Sequence, residues 1–275
     1  MKFDTNLSAI HGYLCGDGYV IKNPPEQKKK YYYIGFRNMN DKLLKDFQRK
    51  FNKKFKVNPI ITNDGRCKIQ SKSIFQELTN KYSYYSHEWK MPELTKENKK
   101  MWLRAFFDCE AWVENQEAKN RSIRLDCVNL NGLKQIQNSL KKNGINSTIK
   151  KTKRPIWRLN ICGLDDIKKF EFTIGFLHPD KKTKLKNAIN SYKDYNWKVP
   201  KKKEELLKFI KKLGRKNESR KEIRFFSIKK NNLNILKSRL NKYNINSKLL
   251  GPWKNNHDSS YYCLVLKDID KRNVE

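Results

Sequence analysis

"IHGYLCGDGYV" (residues 10–20) sets three glycines, Gly12, Gly16 and Gly18, around a single acid, Asp17, in a chain with 11 glycines among 275 residues. A second stretch, "LRAFFDCEA" (residues 103–111), aligns with "IHGYLCGDG" so that Gly12 meets Ala105 and Gly16 meets Cys109. Each small pair is spaced i, i+4 and therefore lies on one helical face. Such faces let two helix backbones approach closely. Asp17 and Glu110 fall at matching places, at or just beyond the helix C-termini. A carboxylate is disfavoured at that end of a helix dipole, and two side by side repel each other further. Divalent cations reverse the sign, because Mg²⁺ takes one or two carboxylates together with water and phosphate oxygens.

Outward from these stretches the chain repeats. "IRLDCVNLNGLKQIQNSLKKNGINSTI" (123–149) lies 100 positions before "IRFFSIKKNNLNILKSRLNKYNINSKL" (223–249), and a weaker copy starts at Tyr31. Each copy parses as a strand, an Asn-rich turn, a helix (Lys42–Asn52, Gly132–Asn143, Asn232–Tyr243) and two more strands. In "WRLNICG" the alternation places Trp157, Leu159 and Ile161 on one face and Arg158, Asn160 and Cys162 on the other. One face packs on helices and the other presents polar and basic groups. The fold class is α+β, with one-sided antiparallel sheets.

Composition names the partner class. Lys and Arg number 62 against 28 Asp and Glu, a formal charge of +34. That is far beyond what solubility needs and reads as a surface for a polyanion. An AT-rich coding sequence raises Lys and Asn, but it would also raise Glu, which is not abundant. Hydrophobic residues at 37% suffice for a core. The six cysteines show no CxxC pair and no zinc spacing with the four histidines. They read as buried thiols of a reducing cytoplasm. No apolar run is long enough for a membrane span, and "MKFDTNLSAI" lacks the apolar region of a signal peptide.

"IHGYLCGDG" and "LRAFFDCEA", with the strand–helix–strand patterns that follow, resemble the two motifs of a single-chain LAGLIDADG homing endonuclease over residues 5 to about 195. The resemblance implies two pseudo-symmetric αββαββα units whose sheets form a DNA-binding saddle, with domains at 1–95 and 96–196. It implies that Asp17 and Glu110 are the catalytic, metal-binding acids, with Gly16 and Cys109 completing the metal set. Mg²⁺ or Mn²⁺ would form a two-metal clamp on the attacking water and the leaving oxygen. The partner that the resemblance implies is duplex DNA with a long asymmetric target, bound by a monomer. The chain departs from the pattern at Ala111 and at the acid Glu110, and Met39 and Leu130 stand where family members often carry lysine. Those two positions favour the alternative, a non-cleaving binder such as a maturase acting on intron RNA or a DNA-binding regulator. A structural-RNA-binding protein outside this family is the third reading.

The expected nucleic-acid contacts are Lys22, Lys28, Lys29, Lys30, Tyr32, Arg37, Asn38, Arg66 and Lys68 in the first repeat. In the second they are Arg121, Arg124, Asn129, Lys153, Arg154 and Arg158. "KYSYYSHEWKMP" (81–92) reads as a packed linker. Residues 197–275 form a third, basic half-repeat, whose "EELLKFIKKLGRKN" (204–217) holds an amphipathic helix that ends at Gly214 and in which Ile210 falls opposite Glu110. It carries no metal, and Lys229 and Lys230 are its expected contacts. It should dock on the second repeat and extend the DNA footprint.

Overall fold

The computed structural model describes residues 2–116, 119–192, 196–254 and 260–267, in two compact units, Met1–Tyr192 and Lys193–Glu275. The first unit runs α1 (Thr5–Cys15), β1 (Gly18–Lys22), β2 (Tyr32–Arg37), α2 (Asp41–Phe55), β3 (Ile60–Thr62), β4 (Arg66–Gln70) and α3 (Lys72–Thr79). The pattern then recurs as α4 (Lys96–Glu110), β5 (Ala111–Gln116), β6 (Lys119–Cys127), α5 (Leu130–Lys142), β7 (Thr148–Lys151), β8 (Trp157–Cys162) and α6 (Leu164–Thr173), followed by α7 (Pro179–Ser191). This is αββαββα twice. The antiparallel sheets have the orders β1-β2-β4-β3 and β5-β6-β8-β7.

The helices over the sheets are amphipathic. Leu43, Leu44, Phe47 and Phe51 are the buried stripe of α2, and Leu133, Ile136 and Leu140 that of α5. They pack on Ile34 and Phe36 in the first sheet and on Ile123, Leu125, Leu159 and Ile161 in the second. The first helix differs, since every residue from Leu7 to Cys15 is buried. A helix without a polar face belongs inside, and α1 lies along α4. A Cβ on Gly12 would stand 2.5 Å from the Trp102 carbonyl oxygen and 3.1 Å from Ala105 Cβ, and one on Gly16 would stand 2.6 Å from Cys109 Cβ. Helical glycine costs about 1 kcal/mol against alanine, and close approach of the two helices offsets it. His11, inside this contact, accepts from Trp102 Nε1 at 2.9 Å. Burial pushes its pKa down to about 3, so it is a neutral core residue. The 81–92 linker packs here through Tyr82 and Tyr84 against His11 and through Trp89 against Trp102 and Phe106.

The second unit is α8 (Lys203–Leu213), β9 (Arg215–Asn217), β10 (Glu222–Ser227), α9 (Lys230–Asn241), β11 (Ser247–Lys254) and β12 (Ser260–Lys267). Its sheet order, β9-β10-β12-β11, repeats that of the other two. The helix of "EELLKFIKKLGRKN" ends at Leu213 with Gly214 as its C-cap, as expected, and Arg215 to Asn217 pair with β10 as an edge strand. Ile210, opposite Glu110 in register, is fully buried core. Among the described residues no helix is long and apolar enough to cross a membrane.

Candidate active site and nucleic-acid interface

Contact between Gly16 and Cys109 brings the two acids to one end of the α1–α4 pair. A Cβ on Gly16 would lie 3.7 Å from Glu110 Cγ. Asp17 lies one residue beyond Gly16, the C-cap of α1, and Glu110 is the last residue of α4. Asn38, in the turn after β2, donates from Nδ2 to Asp17 Oδ2 at 2.9 Å. The neighbouring Arg37 N–H donates to the Asp17 carbonyl at 3.1 Å. Glu110 is mostly buried, and that burial, with the Asp17 charge beside it, pushes its pKa up to about 7.

Two residues that sequence reasoning missed complete this end of α4. Asp108, buried, accepts from the Leu177 N–H at 3.1 Å and the His178 N–H at 3.0 Å, anchoring the start of α7. Burial raises its pKa to about 6. One turn into α7, Lys181 Nζ donates to the carbonyls of Asp108 at 2.5 Å and Cys109 at 3.1 Å. Its pKa is lowered by burial, while Asp108, Asp17 and Glu110 draw it back up. A cation on orphan C-terminal carbonyls is the favourable sign for a helix dipole.

This donor set fits a hard divalent cation. It offers two carboxylates and the main-chain carbonyls that precede them, all oxygen, with the Cys109 carbonyl already engaged by Lys181 Nζ, which would share or yield it to an ion. Among the described residues no group of three His, Cys, Asp or Glu side chains is placed to hold a metal alone, so main chain, water and phosphate would complete the shell. Burial and the adjacent carboxylates raise the Cys109 thiol well above its ordinary pKa. Cys109 would therefore contribute its carbonyl, not sulfur.

The sheet faces away from the helices are built differently in the two repeats. In the first, pairing places Arg37 opposite Arg66, Lys68 opposite Gly35 and Tyr33 opposite Gln70. Tyr19 lies over Gly35, where any side chain would collide with its ring. Arg66 pairs with Asp64 at 3.0 Å. Like charges directly opposite are destabilising in a free sheet and favourable against phosphate. Lys28, Lys29 and Lys30 are exposed between β1 and β2. In the second sheet Arg158 makes a bidentate pair with Asp126, both contacts at 2.7 Å. Its guanidinium stacks 5.1 Å from the Trp112 ring centroid. Arg124 reaches Glu114 at 3.4 Å. Lys153 and Arg154 are exposed in the β7–β8 turn.

Several expected contacts lie elsewhere. Tyr32 packs edge-on against Phe75 of α3, on the helix side of the sheet, and Lys22, opposite Tyr32 in register, belongs to that side. Tyr19 and Tyr33 hold the open face instead. Arg121 is tied to Ser191 at the end of α7 at 2.6 Å and stacks on Tyr192. Asn129 is buried, caps α5 by accepting from the Gly132 N–H, and donates to the Trp89 carbonyl at 2.7 Å. It is not free to orient water or touch DNA. In the second unit Lys229 Nζ bonds Asn196 at 3.0 Å, and Lys230 lies over the Tyr262 ring.

The sequence model of the LAGLIDADG-like domain matches residues 97–175. None of the curated proteins matches the chain. Among solved structures, mesophilic variants of the homing endonuclease I-DmoI are 19% identical at a TM-score of 0.49, covering 66% of this chain and 99% of that one. The homing endonuclease I-WcaI, bound to its DNA recognition sequence, is 17% identical at a TM-score of 0.46, covering 66% and 85%. Full-length DUF199/WhiA from Thermatoga maritima is 16% identical at 0.45, covering 77% and 68%. The matched residues hold α4, Glu110 and the whole second sheet, so this stretch of the chain is similar to a LAGLIDADG-like domain.

Proposed function

We propose that the protein is a site-specific, divalent-metal-dependent DNA endonuclease of the homing type that makes a double-strand break. The observation that carries this reading is the meeting of Asp17 and Glu110 at the abutting ends of α1 and α4. Both acids, with the carbonyls of Gly16 and Cys109, would hold Mg²⁺ or Mn²⁺. Bound there, such ions would polarise the scissile phosphates and acidify the attacking water. The protein's own groups prepare the site. Asn38 fixes the rotamer of Asp17. Lys181 supplies, from α7, a positive charge that Met39 and Leu130 cannot. The open faces of the first two sheets would lie on duplex DNA through Lys28, Lys29, Arg37, Arg66, Lys68, Lys150 and Arg154. Because the two faces differ chemically, the target would be long and asymmetric rather than palindromic, and one chain carrying both halves would act as a monomer.

The test is a supercoiled plasmid carrying the DNA that flanks the gene, with Mg²⁺ and with excess chelator. Linear product with metal and none with chelator is expected. Binding should also weaken steeply with salt, since about 10 neutralised phosphates give a log–log slope near −9. A slope shallower than about −3, or cutting in chelator, contradicts the reading. Met39, 87% exposed at a place where a lysine would serve, favours a second reading, a binder that does not cut. Metal-independent specific binding without product would decide for it.

A further inference from the structure

The third sheet keeps the order of the other two but not the chemistry of its open face. The position of Asp126 in the second sheet is Phe226 in the third, 100 residues on. Pairing puts Phe226 opposite Cys263 and Trp253 opposite Tyr261, so Phe226, Tyr261 and Trp253 share the face away from α9. Phe226 and Tyr261 have centroids 6.3 Å apart, and Tyr261 and Trp253 5.7 Å. Arg215, on the edge strand, extends the row by lying 5.6 Å over Phe226. The row crosses all four strands. A bulge between Leu250 and Trp253 sets the indole in this line, as bulges re-aim side chains. Phe226 is 37% exposed and Trp253 42%.

We propose that this face is a base-stacking platform for single-stranded RNA. Three rings on rigid strands, bordered by cations, are the arrangement on which successive unpaired bases stack while Arg and Lys track the phosphates. Charge selects the occupant. Lys248 shares the face, and among the described residues neither it nor Arg215 has an acidic partner. The acid on the face, Glu222, is taken up by Arg224 at 2.8 Å. Lysine is depleted at protein–protein interface cores, which argues against a protein occupant. Duplex DNA offers base edges in its grooves, not faces, which argues against a third copy of the duplex interface. Splayed, unpaired bases are the ordinary state of RNA loops. The assignment does not depend on the acids at α1 and α4.

The test uses the full chain and a fluorescein-labelled, unstructured 12-nucleotide RNA, read by anisotropy at salt high enough to suppress phosphate-only binding. Phe226→Ala and Trp253→Ala should each weaken RNA binding roughly tenfold, and the pair about a hundredfold. Phe226→Tyr should bind as the parent does, and duplex DNA binding should be unchanged in all of them. Unchanged RNA affinity in the double variant overturns the proposal, as does an equal loss for RNA and duplex. Tighter binding of the same sequence as DNA overturns the assignment to RNA. Ultraviolet cross-linking of the parent protein needs no variant to fold. A cross-link at Phe226, Trp253 or Tyr261 supports the platform, and cross-links confined to residues 1–192 overturn it.

Discussion

Asp17 and Glu110 occupy matching places, one per repeat, and are held in opposite ways. Asp17 receives an amide hydrogen bond from Asn38. Glu110 is held by burial, with a pKa near 7 and a lysine on the carbonyls beside it. The sheets differ in the same sense. The first sets Arg37 against Arg66, while the second pairs Arg158 with Asp126 and Arg124 with Glu114. A duplicated fold thus carries one acid held by a side-chain hydrogen bond and one held by burial, and one sheet that sets two arginines opposite each other, with Arg66 tied to Asp64, where the other pairs each arginine with an acid. Pseudo-symmetry of the backbone does not extend to the energetics of the two half-sites.

The harshest way to break this comparison is to remove each acid in turn. Asp17→Asn and Glu110→Gln should each lower double-strand cleavage by at least about 10³-fold, while DNA binding survives or tightens because a negative charge near phosphate is gone. Full activity in either variant would show that the acids are not a functional pair.

Lys181→Met sharpens it. Removing one preorganised positive donor costs about 10²-fold in comparable sites. Here the loss should fall on one strand, so that open-circular plasmid accumulates. Equal slowing of both nicks, or a loss explained by a lower melting temperature, would leave Lys181 with a structural role as the cap of α4.

Much of this was legible in sequence. The small i, i+4 faces, the 100-residue repeat and the buried stripes of α2 and α5 are local, periodic signals, and the helix pairing follows from them, whereas the strand order within each sheet does not. Lys181 was not legible. It is one of several lysines in "HPDKKTKLK", and its reach to α4 depends on Asp108 anchoring the N-terminal end of α7. Asn38 and Asn129 occupy the same place in their repeats. The linker residue Trp89, distant in sequence from both turns, engages one of them and leaves the other to face the acid. In "YYYIGF" three tyrosines hide the alternation, so only Phe75 reveals that Tyr32 faces inward.

A third difference concerns protons. Glu110 titrates near 7 in the folded chain and near its ordinary 4.5 when unfolded. The unfolded chain releases this proton first. Its contribution to stability is therefore complete below about 4.5 and is lost as pH rises through about 7, on the order of 3 kcal/mol in chelator. Thermal melts at pH 5 and pH 8 should show a larger drop for the parent than for Glu110→Gln, which does not titrate. Added Mg²⁺ should shrink the parent's drop. Identical drops in the two proteins would mean that Glu110 is better solvated than its burial implies.

The smallest effect tests the sheets. Arg158 is held at two points by Asp126 and stacked on Trp112, so contact with a phosphate requires it to leave a partner of opposite charge. The carboxylate of Asp126 also faces where the phosphates would lie. Asp126→Asn removes that competition while keeping shape and one hydrogen-bonding oxygen. Partly exposed ion pairs are worth about 0.2–1 kcal/mol, so duplex affinity should rise by about 1.4-fold to fivefold, and the salt slope should steepen by about one phosphate's worth, near 0.9. Lys68→Ala in the first sheet, where Lys68 has no ion pair of its own and the nearby Asp64 is taken by Arg66, should do the reverse and flatten the slope by a similar amount. Sequence discrimination provides the second readout. If the Asp126–Arg158 pair serves to hold the guanidinium towards a base edge, Asp126→Asn should raise affinity for random duplex more than for the target. If affinity for both falls, the pair is part of the binding surface as it stands, and the second sheet meets DNA without giving up its internal ion pairs.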